Sequence, residues 1–191
     1  MPGGSTAKTA GWWTAALLAA VLCAGVAGAQ GAEARKPLIQ GEPPPDFTLP
    51  DTAGRAVRLS DFTGRVILLS FVSCYTDTCF ASVNAFEDLL VKTGPARLAA
   101  PTICAEVPAA LKEDGYAGLL KRCGAGQTIL IDEGQEISAR YFVTEFPTSL
   151  LIGPDFTLRE VIQGVPALRD PALLARIESL ANQVRVPVPA P

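Results

Sequence analysis

Apolar side chains fill nearly every position from Arg65 to Val72 (RVILLSFV), the pattern of a strand buried on both faces. Beyond Cys79 the period changes. Val83, Phe86, Leu89 and Leu90 recur at helical spacing and predict a helix from about 78 to 93, ending at Gly94-Pro95. Ahead of the apolar run, Asp46–Leu49 and Ala56–Leu59 read as a short hairpin around Thr52-Ala53-Gly54-Arg55. Behind the helix come a strand over about 97–106 and a helix over about 108–122, with Leu111, Tyr116, Leu119 and Leu120 on one side. A short strand is expected at 127–131 and a short helix at 135–142. Residues 148–152 and 156–163 form an antiparallel pair across Gly153-Pro154-Asp155. A final helix, about 170–184, carries the stripe Leu173, Leu174, Ile177 and Leu180. Strands that alternate with helices define an α/β domain, with expected limits 46–186.

The two ends read differently. Lys8 is the only charged side chain among the first thirty residues, and Ala10–Ala29 is an uncharged stretch ending in Ala27-Gly28-Ala29. That pattern is expected of a signal peptide spanning 1–29, cleaved before Gln30. An uncleaved anchor over 10–29 is the alternative. Cys23 lies within this segment, behind Leu22 rather than the small residue a lipidation site needs, and reads as a passive apolar residue. Residues 30–45, with Gly41-Glu42-Pro43-Pro44-Pro45, read as an extended linker, and 187–191 as a proline-rich tail that cannot continue the last helix.

Composition narrows the chemistry. The net charge is −3 over 191 residues, with pI near 5.0 and scattered Lys and Arg, so nothing points to nucleic acid. There is no histidine. Ser-His and Cys-His nucleophiles, histidine general bases and imidazole metal sites are therefore excluded. Without the leader, four cysteines remain: Cys74, Cys79, Cys104 and Cys123. An even count fits an exported chain in an oxidising compartment. Cys74 and Cys79 sit where the apolar strand runs into the helix, and a cysteine at a helix start faces unpaired N–H groups and the positive end of the helix dipole. Thiolate, favoured there, is the form that attacks disulfides, reduces peroxides and binds soft metals. Of the three pairings open to four cysteines, a local 74–79 pair leaves a structural Cys104–Cys123 disulfide. Alternatively, Cys104 (TICAEV) and Cys123 (KRCGAG) are buried small hydrophobes.

Four stretches carry a family resemblance: PPPDFTLPDTAGRAVRLSDFTGRVILLSFVSC, TCFASVNAFEDL, QTILIDEGQEISARYFV and TEFPTSLLIGPDFTLREVIQG. Together they resemble the thioredoxin-like redoxin family, which includes TlpA/ResA-type oxidoreductases and AhpC/TSA-type peroxiredoxins, over roughly 43–184. The resemblance implies a thioredoxin-like three-layer α/β/α sandwich with a mixed central sheet and an N-terminal β-hairpin extension. It implies that Val143–Thr148 forms a loop with a cis Phe146–Pro147 bond packed against the cysteines. Phe146, Pro147 and Thr148 would line a groove for a partner's backbone. It further implies an exposed Cys74 as the attacking thiol, Cys79 as the resolving thiol, no cofactor, a protein dithiol or disulfide as partner, and a membrane thiol transporter as reductant.

The chain departs from the family pattern at the site itself. It has C-x4-C where TlpA-type proteins have C-x-x-C, Ser73 where many relatives have Trp, and Leu68 where thioredoxins have a buried acid. Glu145 is a substitute acid or a solvated loop residue. With Thr76 or Asp77 as N-cap, Cys79 falls in the first helical turn and competes with Cys74 for the role of nucleophile. Three other functions stay open. Thr76-Asp77-Thr78-Cys79 matches the T-x-x-C half of a peroxiredoxin motif, with Val72 at the proline position, which makes Cys79 a candidate peroxidatic thiol. TDTCFASVNAF resembles the helix start of Sco-type copper chaperones, and Cys74 and Cys79 alone would hold Cu(I) in near-linear geometry. A purely structural 74–79 disulfide is the last.

Overall fold

The computed structural model describes residues 37–114, 116–123, 127–165 and 170–186. All of them fall in one unit, Arg35–Pro191. The expected leader at 1–29, most of the linker's first part and the tail at 187–191 lie outside the described residues.

A hairpin opens the domain: β1 (Thr48–Pro50) pairs antiparallel with β2 (Ala56–Arg58), Leu49 opposite Val57, and a tight helical turn, Leu59–Phe62, follows. Then comes β3 (Val66–Ser73), buried at every residue. Helix α1 (Asp77–Thr93) ends at Gly94, whose φ of 88° turns the chain out of the helix. Short β4 (Leu98–Ala99) and β5 (Thr102–Glu106) run parallel to β3. Helices α2 (Ala109–Glu113) and α3 (Ala117–Cys123) lead to β6 (Ile129–Ile131), and α4 (Glu136–Arg140) to β7 (Thr148–Ile152) and β8 (Leu158–Gln163). Helix α5 (Pro171–Gln183) closes the domain, capped by Asp170, whose carboxylate accepts from Ala172 N–H. The main sheet is mixed, in the order β6-β5-β3-β7-β8, with β4 added alongside β3.

Alternation along β3 divides the core in two. Ile67, Leu69 and Phe71 face the hairpin side with Phe47, Leu49, Leu59, Phe62 and Tyr141. Val66 and Leu68 face α1 and α5, and Val72 faces α1 and α3. The sheet is therefore the middle of three layers. Beneath α1 the buried Ser70 and Ser149 hydroxyls satisfy each other across β3 and β7 at 2.9 Å.

Three expectations change in detail. The strand at 97–106 is two pieces, because Pro101 lacks an N–H for the ladder. The helix at 108–122 is also two. Tyr116 takes a left-handed φ of 66° and bonds back to the Leu111 carbonyl, and Asp114 caps the second helix at Gly118 N–H. The linker ends earlier than 45. Gly41 N–H donates to Leu158 and Leu158 N–H to Glu42, Pro44 is buried, and Tyr141 and Arg140 donate to the carbonyls of Pro45 and Asp46. Folded structure begins near Gly41.

Phe71 is fully buried and its ring lies 5.4 Å from that of Tyr141. Phe71→Ala is expected to lower the unfolding free energy by about 3–5 kcal/mol, read from urea denaturation. Val161→Ala, at an exposed position of β8, should change it by no more than about 0.5 kcal/mol.

Candidate active site

The site is built where β3 leaves the sheet. Val72 pairs with Cys104 on β5, but Ser73 pairs with Glu106, so Ala105 is the extra residue of a bulge. Cys74 N–H then donates to the Glu106 carbonyl at 2.8 Å, carrying the pairing one residue past the strand. Side chains alternate along a strand, so Cys74 shares the face of Val72, beneath α1 and α3. Tyr75 takes the outward position, 67% exposed, and Thr76 and Asp77 are exposed beside it.

Thr76 is the backbone N-cap of α1, with φ −119° and ψ 137°, but its hydroxyl makes no capping bond. Asp77 is the first helical residue and Cys79 the third. The Cys79 sulfur accepts a hydrogen bond from Ser73 N–H at 3.4 Å. Two sources of positive potential therefore converge on that sulfur: the peptide N–H and the first turn of the helix.

Cys104 enters from β5 and Cys123 from the end of α3. All four sulfurs belong to one apolar cluster with Val72, Val83, Leu119, Ile129 and Ile131. Cys74 and Cys79 are each 2% exposed, Cys104 0% and Cys123 1%, and none of the four is in a disulfide. Among the described residues, no group of three or more His, Cys, Asp or Glu side chains is arranged to hold a metal.

Two expectations are corrected here. Cys74 is not exposed ahead of the helix. The strand pairing continues through its N–H and turns its side chain inward, and Tyr75 occupies the surface instead. Cys104 and Cys123 form no structural disulfide. The Cys104 thiol hydrogen-bonds the Cys74 side chain, and Cys123 packs as a small apolar residue in the same cluster. That hydrogen bond, first, and then burial and the nearby sulfurs of Cys74, Cys123 and Cys79, push the Cys104 thiol well above its ordinary range and hold it neutral.

The loop residues divide. The Phe146–Pro147 bond is cis, as the resemblance implies. Phe146 is half-buried and packs against the cysteine cluster. Pro147 is buried and its carbonyl already accepts from Gly164 N–H at 2.9 Å. Thr148 is buried too, pairs with Phe71 across the sheet, and donates its hydroxyl to the Glu145 carbonyl at 2.7 Å. Of these three, Phe146 is the one that offers surface. Glu145 is exposed, as a solvated loop acid would be. Sequence reasoning missed the contact of Cys104 with Cys74. The signal for it is a cysteine in the strand that pairs in parallel with β3, and it is readable only once the register is known.

A mixed sheet flanked by helices, an N-terminal hairpin, and thiols at the end of the central strand beside a cis-proline loop define a thioredoxin-like protein. The chain belongs to the AhpC/TSA family, whose model matches residues 40–161. It is 24% identical over 143 residues to the thiol-disulfide oxidoreductase ResA of Bacillus subtilis, covering 68% of this chain and 70% of that one. It is 28% identical over 137 residues to the protein of the same name from Bacillus thuringiensis, covering 71% and 76%. The fold matches a putative thiol:disulfide interchange protein DsbE from Chlorobium tepidum, with a TM-score of 0.66, 24% identity, and coverage of 75% of this chain and 99% of that one. It also matches a putative protein disulfide isomerase from Bacteroides thetaiotaomicron, with a TM-score of 0.65, 23% identity, and coverage of 76% and 92%.

Because Cys104 ionises later in the folded than in the unfolded chain, its stabilising contribution is intact below the ordinary thiol pKa of 9.0 and fades as pH rises above it. The unfolding free energy under reducing conditions is therefore expected to decline above about pH 9. Cys104→Ala should flatten that decline between about pH 9 and 10. Denaturant titrations at stepped pH measure both.

Proposed function

We propose that this chain is an exported thiol-disulfide oxidoreductase whose Cys74 and Cys79 cycle between dithiol and disulfide with a protein partner. One observation carries the reading. In a chain whose relatives bear that activity in their names, Cys74 and Cys79 share one apolar cluster at a strand-to-helix junction, with Phe146 of the cis-proline loop packed on it. Cys74 attacks a partner disulfide and Cys79 resolves the mixed disulfide, releasing the partner as a dithiol. The hydrogen bond with the neutral Cys104 thiol supports Cys74 as the attacking sulfur. Both sulfurs are buried, so reaction is gated. The exposed Tyr75–Asp77 segment must move aside before a partner reaches Cys74. The groove offered to the partner is Phe146 with the surface of that segment.

Residues 1–29 serve as the export signal or anchor, and a membrane thiol transporter supplies electrons in this reading. Among the described residues, no helix is long and apolar enough to cross a membrane.

Reduced protein is expected to reduce a disulfide substrate such as insulin, with Cys74→Ser inactive and Cys79→Ser accumulating mixed disulfides. Trapping by Cys74→Ser instead would exchange the roles, and trapping by neither would end the reading. The 74–79 couple should have a potential between about −120 and −270 mV, the span of catalytic dithiols, and a value below about −300 mV would mark a structural disulfide. Rapid consumption of hydrogen peroxide without disulfide exchange would assign the site to peroxidase chemistry.

A further inference from the structure

Cys104 has no role in a two-cysteine cycle, yet it shares the apolar cluster of Cys74 and hydrogen-bonds its side chain. Its backbone is fixed by pairing with Val72, two residues before Cys74 and on the same face of the sheet. Cys74 is tied to the same strand through the Glu106 carbonyl. The two sulfurs hydrogen-bond each other. Cys104 is wholly buried, so no external disulfide or oxidant reaches it directly. Its accessible reaction partners are the neighbouring sulfurs, each still a thiol rather than half of a disulfide.

We propose that Cys104 is a third redox-active thiol, which closes an alternative disulfide with Cys74 and so resolves mixed disulfides at Cys74 in competition with Cys79. The inference rests on Cys74 as the attacking thiol in the cycle proposed above. The step balances without a further reagent. Cys74, joined to a partner sulfur, is attacked by Cys104. The Cys74–Cys104 bond forms, the Cys74–partner bond breaks, and the proton of Cys104 goes to the departing partner thiolate. Cys74 and Cys104 together lose two electrons, which the partner disulfide has gained. Attack of Cys79 on Cys74 then forms the 74–79 bond and breaks the 74–104 bond, and the proton that Cys79 gives up returns the departing Cys104 thiolate to its neutral thiol. Cys104 rests as a neutral thiol and attacks only through its small thiolate fraction, which makes it the slower resolving sulfur; the proton it gives up ends on the departing partner thiolate.

The test uses the full chain, oxidised glutathione as the disulfide, acid quenching, alkylation, and non-reducing peptide mapping by mass spectrometry. In the unsubstituted protein, a peptide joining Cys74 to Cys104 is expected as a minor, transient species beside the 74–79 link. In Cys79→Ser glutathione should first accumulate on Cys74 and then give way to that peptide, more slowly than Cys79 resolves it in the unsubstituted protein. In Cys79→Ser/Cys104→Ser the link should vanish and glutathione should stay on Cys74. The inference is overturned if Cys79→Ser holds glutathione as fully as the double variant, or if Cys104 is found joined only to Cys123. The unsubstituted time course needs no variant to fold, and absence of the 74–104 peptide throughout it and in Cys79→Ser also overturns it. If Cys74 takes up no glutathione in any form, the dithiol cycle itself fails. If Cys74 is modified and resolved only by Cys79, that cycle stands and Cys104 alone is excluded.

Discussion

The placement of all the sulfur chemistry depends on the register of one strand. Every residue of β3 is buried, with parallel neighbours on one side and an antiparallel neighbour on the other. A slip of one residue would exchange Leu68 and Val72 for Leu69 and Phe71 and turn Cys74 to the hairpin side of the sheet. Two well-filled but differently shaped cores oppose that slip: large aromatic rings on one face, helices on the other. The bulge between Val72 and Ser73 adds a local correction. It brings Cys74 into line with Glu106 and leaves Cys104 beside it. Packing energy spread over the whole sheet is thereby converted into the position of one sulfur.

Four thiols in an apolar cluster set a chemical tension. Burial favours the neutral form, and exchange requires the anion. The chain contains no histidine to take a proton. The Ser73 N–H and the first turn of α1 instead direct positive potential at Cys79, while the Cys104 contact attends Cys74. A closed cluster also shields its thiols from unspecific oxidants, because burial leaves so little sulfur surface for them to reach.

The elements were legible in the sequence wherever period and punctuation agreed. β3, α1 with its Gly94 end, the β7–β8 pair and α5 stand within a residue or two of where the pattern puts them. Pattern alone did not see the breaks. Pro101 interrupts an otherwise continuous apolar run, and Tyr116 adopts a left-handed conformation that nothing in its identity announces. At the site, spacing put Cys74 and Cys79 at one strand-to-helix junction and the family resemblance put the Phe146 loop beside them, but neither gave the orientation of Cys74. Whether a residue just past a strand points in or out is decided by whether the ladder continues, here through Cys74 N–H and Glu106. The contact of Cys104 with Cys74 is a matter of which residues pair across two strands thirty positions apart in the chain, and no local pattern encodes that.

The hydrogen bonds that fasten 41–46 to Leu158, Tyr141 and Arg140 give the domain a polarity. Leu158 lies opposite Ile152, which lies opposite Ile67, near the start of β3. Cys74 follows the other end of that strand, roughly 20 Å away along its direction. The polypeptide thus enters at one pole and carries its sulfurs at the other. Whatever approaches the sulfurs therefore meets the pole of the sheet opposite the one where residues 41–46 are fastened.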